Sequence, residues 1–216
     1  MSTAIIFDLD GTLADSTGCV VHAAQCVGRL HGLRTVTDED IRQRIGEPLG
    51  PMLAALFGAE GDLLQQLVND YSATYVQSAV SMERPFAGTL TLLEALRADG
   101  RKLAIATGKS QNGAERATTR MGLAPHFDSI HGIIPGTPGK PDPAVLQRAM
   151  AALGVSAENA IMIGDTTFDL DLSAAIGVDA VGVSWGVHGV DVLQSRNPRV
   201  VVHDMVELLQ WIRTNT

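Results

Sequence analysis

The sequence Ile5-Ile6-Phe7-Asp8-Leu9-Asp10-Gly11-Thr12 places two aspartates at the end of a short apolar run. The apolar run predicts a buried β-strand. Because side chains alternate across a strand with a period of two, Asp8 and Asp10 start on the same side. Two like charges at a buried strand end need neutralisation, and a divalent cation is the simplest candidate. A turn or helix N-cap built on residues 10–12 accounts for one aspartate but poorly for the pair.

Length, composition and charge limit the possible functions. The 216 residues, with 45% hydrophobic content, fit one domain or one domain that carries a smaller insert. Aromatic residues make up only 4%, so we expect a core of mainly aliphatic side chains and Met. The formal net charge of -8 disfavours nucleic acid and anionic membranes as main partners. If the substrate is an anion, a metal ion and a few nearby cationic side chains must make the electrostatic potential at the site positive despite the negative net charge.

The two cysteines indicate a reduced protein. Cys19 and Cys26, if they lie on one helix, are about 10 Å apart along its axis, which is too far for a disulfide bond. We see neither a signal peptide nor a membrane span, because the apolar run 5–7 is short and is followed at once by aspartate. We therefore expect a cytoplasmic protein with thiols that serve as packing residues.

From about Gly88 onward, strand-like and helical segments alternate. The predicted strands are 103–106, 129–134, 160–163, 180–183 and 200–202, and the predicted helices are 90–98, 111–120, 143–153, 168–176 and 205–212. Four of these helices are followed by a glycine that suits a left-handed C-terminal cap, namely Gly100, Gly122, Gly154 and Gly177. This alternation predicts an α/β fold with a doubly wound, mainly parallel sheet that is covered by helices on both faces.

Residues 16–84 interrupt the alternation with helical patterns alone. These patterns cover 20–30, 38–45, 51–57 and 63–80. Thr37 and Asp40 resemble a capping box, with Asp in place of Glu. We therefore predict a core domain made of residues 1–15 and 85–216, and an α-helical cap domain made of residues 16–84. Because ligands of open α/β sheets bind outside the carboxyl ends of the strands, this insert is placed to cover a site there.

Three further predicted strand ends carry polar residues. They are Thr107-Gly108-Lys109, Gly139-Lys140-Pro141-Asp142-Pro143 and Gly164-Asp165-Thr166-Thr167-Phe168-Asp169. Together with Asp8 and Asp10, they supply carboxylates, a hydroxyl and an ammonium group. That set suits a phosphoryl group held beside Mg²⁺, with backbone amides at a helix start as additional donors.

These four motifs, in this order, resemble those of the phosphohydrolases of the haloacid dehalogenase superfamily. The resemblance covers residues 5 to about 189, and the helical insert is similar to the cap of the phosphoglycolate-phosphatase-like branch (subfamily IA). The motifs at Asp8 and Asp165 are strong signals, the motif at Lys140 is moderate, and Thr107-Gly108 alone is weak. The resemblance implies a Mg²⁺-dependent phosphatase that acts on a small phosphorylated metabolite, and we expect a monomer or a homodimer.

The resemblance also implies a role for each matching residue. Asp8 would be the nucleophile that forms an aspartyl-phosphate, and Asp10 would protonate the leaving alcohol and then deprotonate the hydrolytic water. Thr107 and the Gly108 amide would hold the phosphoryl oxygens, and Lys140 would neutralise the charge shared by Asp8 and phosphate. The implied Mg²⁺ ligands are Asp8, the backbone carbonyl of Asp10, Asp165 and, directly or through water, Asp169.

Near neutral pH these roles set two electrostatic expectations. The metal and Lys140 should lower the pKa of Asp8 so that it stays ionised. Asp10, which must carry a proton, should lie in a less compensated environment.

Other activities fit the motifs less well. A P-loop at Gly108-Lys109 would need a glycine where Leu103 stands, and Lys140 is followed by proline. Dehalogenases of the superfamily lack the second aspartate, and phosphonoacetaldehyde hydrolases need a cap lysine, whereas Lys102 is the first lysine here. A pyrophosphatase, a sugar-phosphate phosphatase or a phosphomutase of the same superfamily stays open. The alternative from another class is a non-catalytic phosphate-binding scaffold.

Substrate specificity should come from the cap, because the core binds only the phosphate. We hypothesise that Arg42 or Arg44 binds an anionic leaving group, such as the carboxylate of phosphoglycolate. The alternative is an ordinary exposed arginine near a helix C-terminus. Residues 131–137 depart from the family pattern, which has acidic residues before the lysine motif, so the role of this loop stays open.

Overall fold

The apolar run at the start of the chain forms the central strand of a parallel sheet in a computed structural model, which describes residues 3–216. The strands are β1 (Ala4–Phe7), β2 (Ala14–Asp15), β3 (Arg84–Pro85), β4 (Leu103–Ser110), β5 (Ser129–Ile133), β6 (Ala160–Gly164), β7 (Asp179–Val183) and β8 (Val200–Val202). Over these residues, six strands form one parallel sheet in the order β5-β4-β1-β6-β7-β8. In β1, Ile5 pairs with Leu103 on one side and with Ile161 on the other.

Helices connect the strands as the sequence pattern predicts. They are α1 (Thr17–Leu30), α2 (Asp38–Arg42), α3 (Leu49–Phe57), α4 (Gly61–Met82), α5 (Thr89–Ala98), α6 (Gln111–Arg120), α7 (Ala144–Leu153), α8 (Thr167–Ala174), α9 (Val190–Gln194) and α10 (Met205–Asn215). The predicted α/β fold with a mainly parallel sheet is confirmed. The glycine after α7, Gly154, has φ +64° and caps the helix in the left-handed conformation.

Alternate residues of β1 bury opposite faces of the sheet. Ile5 and Phe7 pack in a cluster with side chains of α5 and α10, and Ala4 and Ile6 pack in a second cluster with side chains of α7. All four residues are fully buried. A strand that is buried on both faces has no polar alternation, which explains the continuous apolar run in the sequence.

The segment 16–84 is helical and has an apolar cluster of its own. This cluster joins side chains of α1 to α4, including Val27, Ile41, Leu53 and Leu67. The two-residue strands β2 and β3 pair antiparallel at the points where the chain enters and leaves this segment. We propose the division into core and cap on these grounds; residues 1 and 2 of the predicted core lie outside the described residues.

Local features of the cap follow the sequence. The predicted capping box is present: the Thr37 hydroxyl accepts from the Asp40 amide, and the Asp40 carboxylate accepts from the Thr37 amide. Cys19 and Cys26 both lie on α1 and are free thiols. None of the helices within residues 3–216 has the length and apolar character that crossing a bilayer requires.

Leu53→Ala tests whether the cap cluster contributes to global stability. Leu53 is fully buried in that cluster, so the substitution leaves a cavity and should lower the free energy of unfolding by about 2–5 kcal/mol. Urea unfolding followed by circular dichroism measures this change. Val80→Ala, at a position with 73% exposure, is the control and should change stability by less than about 0.5 kcal/mol. Equal stability of the two variants would contradict the packing described here.

Candidate active site

The carboxyl ends of three neighbouring strands bring the sequence motifs together. Asp8 follows β1, Thr107 lies in β4, and Asp165 follows β6. Because β1 lies between β4 and β6, their ends meet at one edge of the sheet. Lys140 enters from the loop before α7, and Asp169 lies in the first turn of α8. All five side chains are buried, so the predicted residues meet in one place away from bulk water.

A single ammonium group joins two of the carboxylates. Lys140 Nζ donates to Asp8 Oδ1 at 2.7 Å and to Asp169 Oδ1 at 2.5 Å. The other Asp169 oxygen accepts from the Thr166 hydroxyl at 2.7 Å and from the Thr166 amide at 3.2 Å, and the amide bond belongs to a capping box at the start of α8. The conformation of Asp169 is therefore fixed by its own helix and by Lys140.

Burial dominates the ionisation of this cluster. Burial raises the pKa of Asp8 to about 7, against the lowering effect of Lys140, and Asp169 and Asp10 add to the rise. Burial and the neighbouring Asp8 and Asp169 also raise the pKa of Asp165. Burial alone would lower the pKa of Lys140, but the two carboxylates beside it raise it above its ordinary value. The expected lowering of the Asp8 pKa is therefore absent in the protein alone, because one ammonium does not offset burial.

Glycines make room for Asp165. A Cβ atom at Gly11 would lie 2.2 Å from Asp165 Oδ2, and one at Gly186 would lie 2.3 Å from the same atom. Gly11 also has φ +84°, a conformation that side-chain-bearing residues rarely adopt. The carboxylate accepts from the Thr12 hydroxyl at 2.8 Å and from the Val187 amide at 2.9 Å. Asp165 is thus held at a defined position by backbone that approaches it closely.

The donor set of this cluster fits a hard divalent cation. Asp8, Asp165 and Asp169 each offer a carboxylate oxygen, and these atoms lie within 4.8 Å of one another. With all three ionised and Lys140 charged, the cluster carries a formal charge of about -2 in a buried site, which a divalent cation neutralises. Oxygen ligands are those that Mg²⁺ prefers. The Asp10 side chain is not part of this cluster.

Thr107 lies in β4 and is not the N-cap of the next helix. That position belongs to Ser110, whose hydroxyl accepts from the Gly113 amide. The Thr107 hydroxyl accepts from the Lys109 amide at 3.2 Å, and the side chain is 1% exposed. A Cβ at Gly108 would lie 3.5 Å from the Gly46 carbonyl oxygen, so backbone from the cap approaches this strand end.

Asp10 is paired with a lysine that the sequence analysis left without a role at this site. Lys109 Nζ donates to Asp10 Oδ1 at 2.7 Å and to Oδ2 at 3.0 Å. The expectation that Asp10 lies in a less compensated environment is therefore wrong for this structure. Its carboxylate has a full ion-pair partner from the neighbouring strand.

Lys109 also connects the core to the cap. Its Nζ donates to the Tyr75 hydroxyl at 2.8 Å and lies 4.3 Å from the centre of the Tyr75 ring. The Tyr75 hydroxyl donates to Glu83 Oε1 at 2.6 Å, and the buried Glu83 forms an ion pair with Arg120 of α6. Two acidic and two basic side chains, with Tyr75 between them, thus form a charge-balanced network next to Asp10.

A cavity of about 530 Å³ opens next to these residues, between the core and the cap. Asp8, Asp10, Thr107, Gly108 and Lys140 line one end of it. The loop before α3 lies against the core at the same point: a Cβ at Gly139 would lie 2.4 Å from Pro48, and a Cβ at Gly46 would lie 2.8 Å from the Phe168 ring. The cap therefore covers the strand ends, as the position of the insert predicts.

The two cap arginines, Arg42 and Arg44, lie outside the cavity, whereas Arg116 of the core lines it. Arg44 Nη1 donates to Glu47 Oε1 at 3.0 Å, and neither Arg44 nor Arg42 is among the residues that line the cavity. Arg116 of α6 does line it, and its guanidinium has no hydrogen-bond or ion-pair partner within residues 3–216. The sequence pattern gave no signal for Arg116, because its helix is exposed and polar at this position.

Comparison with known proteins decides the family. Residues 5–183 match the family model described as haloacid dehalogenase-like hydrolase. The chain belongs to this family. The predicted superfamily and its implied enzymatic nature are therefore confirmed, and the strand-end cluster of this haloacid dehalogenase-like hydrolase is the candidate active site.

Several relatives of this hydrolase carry functional names. The chain is 32% identical to a protein named "Probable phosphatase IndB" of Dickeya dadantii, over 97% of this chain and 93% of that protein. It is 33% identical to the tyrosine-protein kinase PtkA of Mycobacterium tuberculosis, over 92% of this chain and 68% of that protein. It is 30% identical to the phosphoglycolate phosphatase of Rhodospirillum rubrum, over 98% of this chain and 91% of that protein.

Solved structures agree with the fold. A haloacid dehalogenase-like family hydrolase from Streptococcus pneumoniae superposes with a TM-score of 0.88 at 28% identity, over 97% of this chain and 98% of that chain. The similarity therefore extends over both the sheet and the helical insert.

Lys109→Met tests whether Lys109 positions Asp10. Without the ammonium, Asp10 loses both hydrogen bonds from Nζ. If Asp10 is the general acid that the family resemblance implies, kcat for an alkyl phosphate should fall about ten-fold. The loss should be smaller for p-nitrophenyl phosphate, because nitrophenolate leaves without a proton. Steady-state assays with both esters measure the difference.

Lys102→Met is the matched control for this prediction. Lys102 Nζ donates to the Leu153 carbonyl, away from the strand-end cluster, so kcat should be unchanged for both esters. An equal loss for the two esters in Lys109→Met would indicate general structural damage and contradict the positioning role.

Proposed function

We propose that the protein is a Mg²⁺-dependent phosphomonoester hydrolase that acts on a small phosphorylated metabolite through an aspartyl-phosphate on Asp8. The observation that carries this proposal is the placement of Asp8. Its carboxylate lines the cavity, accepts from Lys140 at 2.7 Å, and lies beside Asp10 and Thr107. A buried nucleophile with a cation, a hydroxyl donor and a second carboxylate around it suits phosphoryl transfer.

The proposed reaction has two displacements at phosphorus. An Asp8 oxygen forms a bond to phosphorus while the bond between phosphorus and the alcohol oxygen breaks, and Asp10 gives a proton to the departing alcohol. Water then attacks the aspartyl-phosphate, Asp10 takes a proton from that water, and Asp8 is released with inorganic phosphate. The Thr107 hydroxyl and the Gly108 amide bind phosphoryl oxygens, and Lys140 balances the charge of Asp8 throughout.

Mg²⁺ would be held by Asp8, Asp165 and Asp169, together with the backbone carbonyl of Asp10. When bound, the ion supplies positive charge that favours ionised carboxylates and attracts phosphoryl oxygens. Asp165 contributes through its fixed orientation, because two donors and two close glycines leave its oxygens few alternatives. We propose that the protein is cytoplasmic, which its two free thiols support. We also propose that it is a monomer or a homodimer.

The cap has two tasks in this proposal. It limits access of water to the phosphoryl group, supported by the contact of Pro48 with Gly139, and it contributes the walls that meet the alcohol. A pyrophosphatase, a sugar-phosphate phosphatase or a phosphomutase would use the same core residues, so the cap cavity selects among these substrates. The non-catalytic scaffold is disfavoured because every catalytic position is filled.

Asp8→Asn tests the nucleophile. The substitution keeps the size of the side chain and removes the attacking oxygen, so turnover of p-nitrophenyl phosphate should fall at least 1,000-fold, of the order that loss of a nucleophile costs. Asp191→Asn, on an exposed helix, is the control and should retain full activity. Chelation by EDTA should abolish the wild-type activity, and added Mg²⁺ should restore it. Appreciable hydrolysis by a pure Asp8→Asn preparation would disprove the assignment.

Arg44→Ala tests the proposed contact with an anionic leaving group. The contact requires the Arg44–Glu47 pair to open, and its loss should then lower kcat/KM for phosphoglycolate about ten-fold relative to ethyl phosphate. Arg116→Ala is the comparison, since Arg116 lines the cavity in this structure. If Arg44→Ala leaves the ratio of kcat/KM for phosphoglycolate to that for ethyl phosphate unchanged, Arg44 does not contact the leaving group. If only Arg116→Ala lowers this ratio, Arg116 of α6 makes the contact instead.

A further inference from the structure

Most of the cavity next to Asp8 has apolar walls. Beyond the phosphate-binding end, α3 and α4 of the cap contribute mainly apolar side chains and two tyrosine rings. They are Met52, Val68, Tyr71, Tyr75, Val76 and Ala79. We call this part of the cavity the apolar chamber.

The whole cavity is larger than an ester of a two-carbon alcohol requires. Phosphoglycolate has nine non-hydrogen atoms, and at a generous ~30 Å³ each, the share of a water molecule in the liquid, they fill about half of the 530 Å³. The remainder would hold water against aliphatic walls. Cavities of this size and character typically bind ligands with a substantial apolar body.

Aromatic rings and an unpaired hydroxyl shape the chamber further. Tyr71 and Tyr75 are stacked, with ring centres 6.0 Å apart and an angle of 25° between the ring planes. The Tyr75 hydroxyl is engaged with Lys109 and Glu83, whereas the Tyr71 hydroxyl has no hydrogen-bond partner within residues 3–216, although Tyr71 is only 7% exposed. Burial raises the pKa of both phenols, so each stays neutral. The chamber therefore presents aromatic ring surface and one hydroxyl that is available to a ligand.

We propose that this hydrolase acts on phosphomonoesters whose alcohol carries an apolar ring system, which packs against Tyr71 and Val76 and pairs one polar atom with the Tyr71 hydroxyl. This inference deepens the proposed function and rests on it for turnover, but not for binding. The phosphate end fixes the phosphoryl group at Asp8, and the ring extends from there between α3 and α4. Esters of short polar alcohols leave the chamber walls without contacts and are poor substrates.

Two substrates with similar leaving groups test the proposal. Ethyl phosphate and 2-phenylethyl phosphate are both primary alkyl esters, so a difference between them reports binding of the ring and not departure of the alcohol. One extra methylene in a fitting apolar pocket discriminates by roughly 10–200-fold, so we expect kcat/KM to be at least ten-fold higher for 2-phenylethyl phosphate. Equal or lower kcat/KM for the ring-bearing ester would overturn the proposal.

Non-hydrolysable phosphonates separate this proposal from the proposed function. Calorimetry in Mg²⁺ should show at least ten-fold tighter binding of 2-phenylethylphosphonate than of ethylphosphonate. Selective binding without hydrolysis of either ester would support the chamber and contradict the phosphatase. Hydrolysis of both esters with equal phosphonate affinities would support the phosphatase and overturn the chamber.

A pair of valines on α4 provides matched variants. Val76 lines the chamber, and Val80, one turn further along the helix, does not; both are partly exposed, so neither substitution creates a core cavity. Val76→Asn should lower the ratio of kcat/KM for 2-phenylethyl phosphate to that for ethyl phosphate about five-fold, because it places an amide against the ring. Val80→Asn should keep the wild-type ratio. Equal ratios in the two variants would contradict the placement of the ring.

Discussion

The ion pairs of Lys140 with Asp8 and Asp169 are the interaction on which the candidate site depends. One ammonium group serves two buried carboxylates, and Asp165 adds a third carboxylate within reach. Removing the ammonium would leave buried negative charges without compensation, a costly arrangement in a protein interior. Even with Lys140 in place, burial holds the pKa of Asp8 near 7. Additional positive charge would therefore stabilise the ionised carboxylates of this cluster, which supports the proposed cation site.

The sheet makes this arrangement possible. Asp8, Thr107 and Asp165 come from three neighbouring parallel strands whose apolar residues are buried on both faces, so the strand ends have little freedom to move. The loop to α7 adds Lys140, and the first turn of α8 adds Asp169. A rigid frame allows like charges to be held close before a substrate binds, which is the condition for electrostatic stabilisation of a reacting phosphoryl group.

The sequence predicts the secondary-structure elements and the meeting of the strand-end motifs well, because both depend on local patterns. The bounds of α6 agree with the predicted 111–120, and the four motifs meet because carboxyl ends of parallel strands share one edge. Glu83 and Arg116 are not marked as site residues by the sequence. Their positions next to the cavity depend on how the cap packs on the core, which no local pattern encodes.

At Lys109 and in the short strands β2 and β3, the sequence pattern that could predict the structure is weak or absent. Lys109 does follow the Thr107-Gly108 strand end, and this position could have marked it as a partner for Asp10. The strands β2 and β3 have two residues each, so no periodicity exists to detect them. The environment of Asp10 differs from the expected one because the neighbouring strand brings Lys109 to its carboxylate and α4 brings Tyr75 to Lys109.

The two charged clusters at the strand ends differ in their net formal charge, and this difference supports the separate roles proposed for them. Asp8, Asp165, Asp169 and Lys140 sum to a formal charge of about -2, whereas Asp10, Glu83, Lys109 and Arg120 sum to about zero. The negative charge of the first cluster favours binding of a divalent cation, whereas the second cluster is already neutral. A cation beside Asp8 would therefore take the backbone carbonyl of residue 10 and leave the Asp10 carboxylate to Lys109. Since Tyr75 and Glu83 belong to the cap side of this neutral network, the orientation of Asp10 and the position of the cap depend on the same hydrogen bonds.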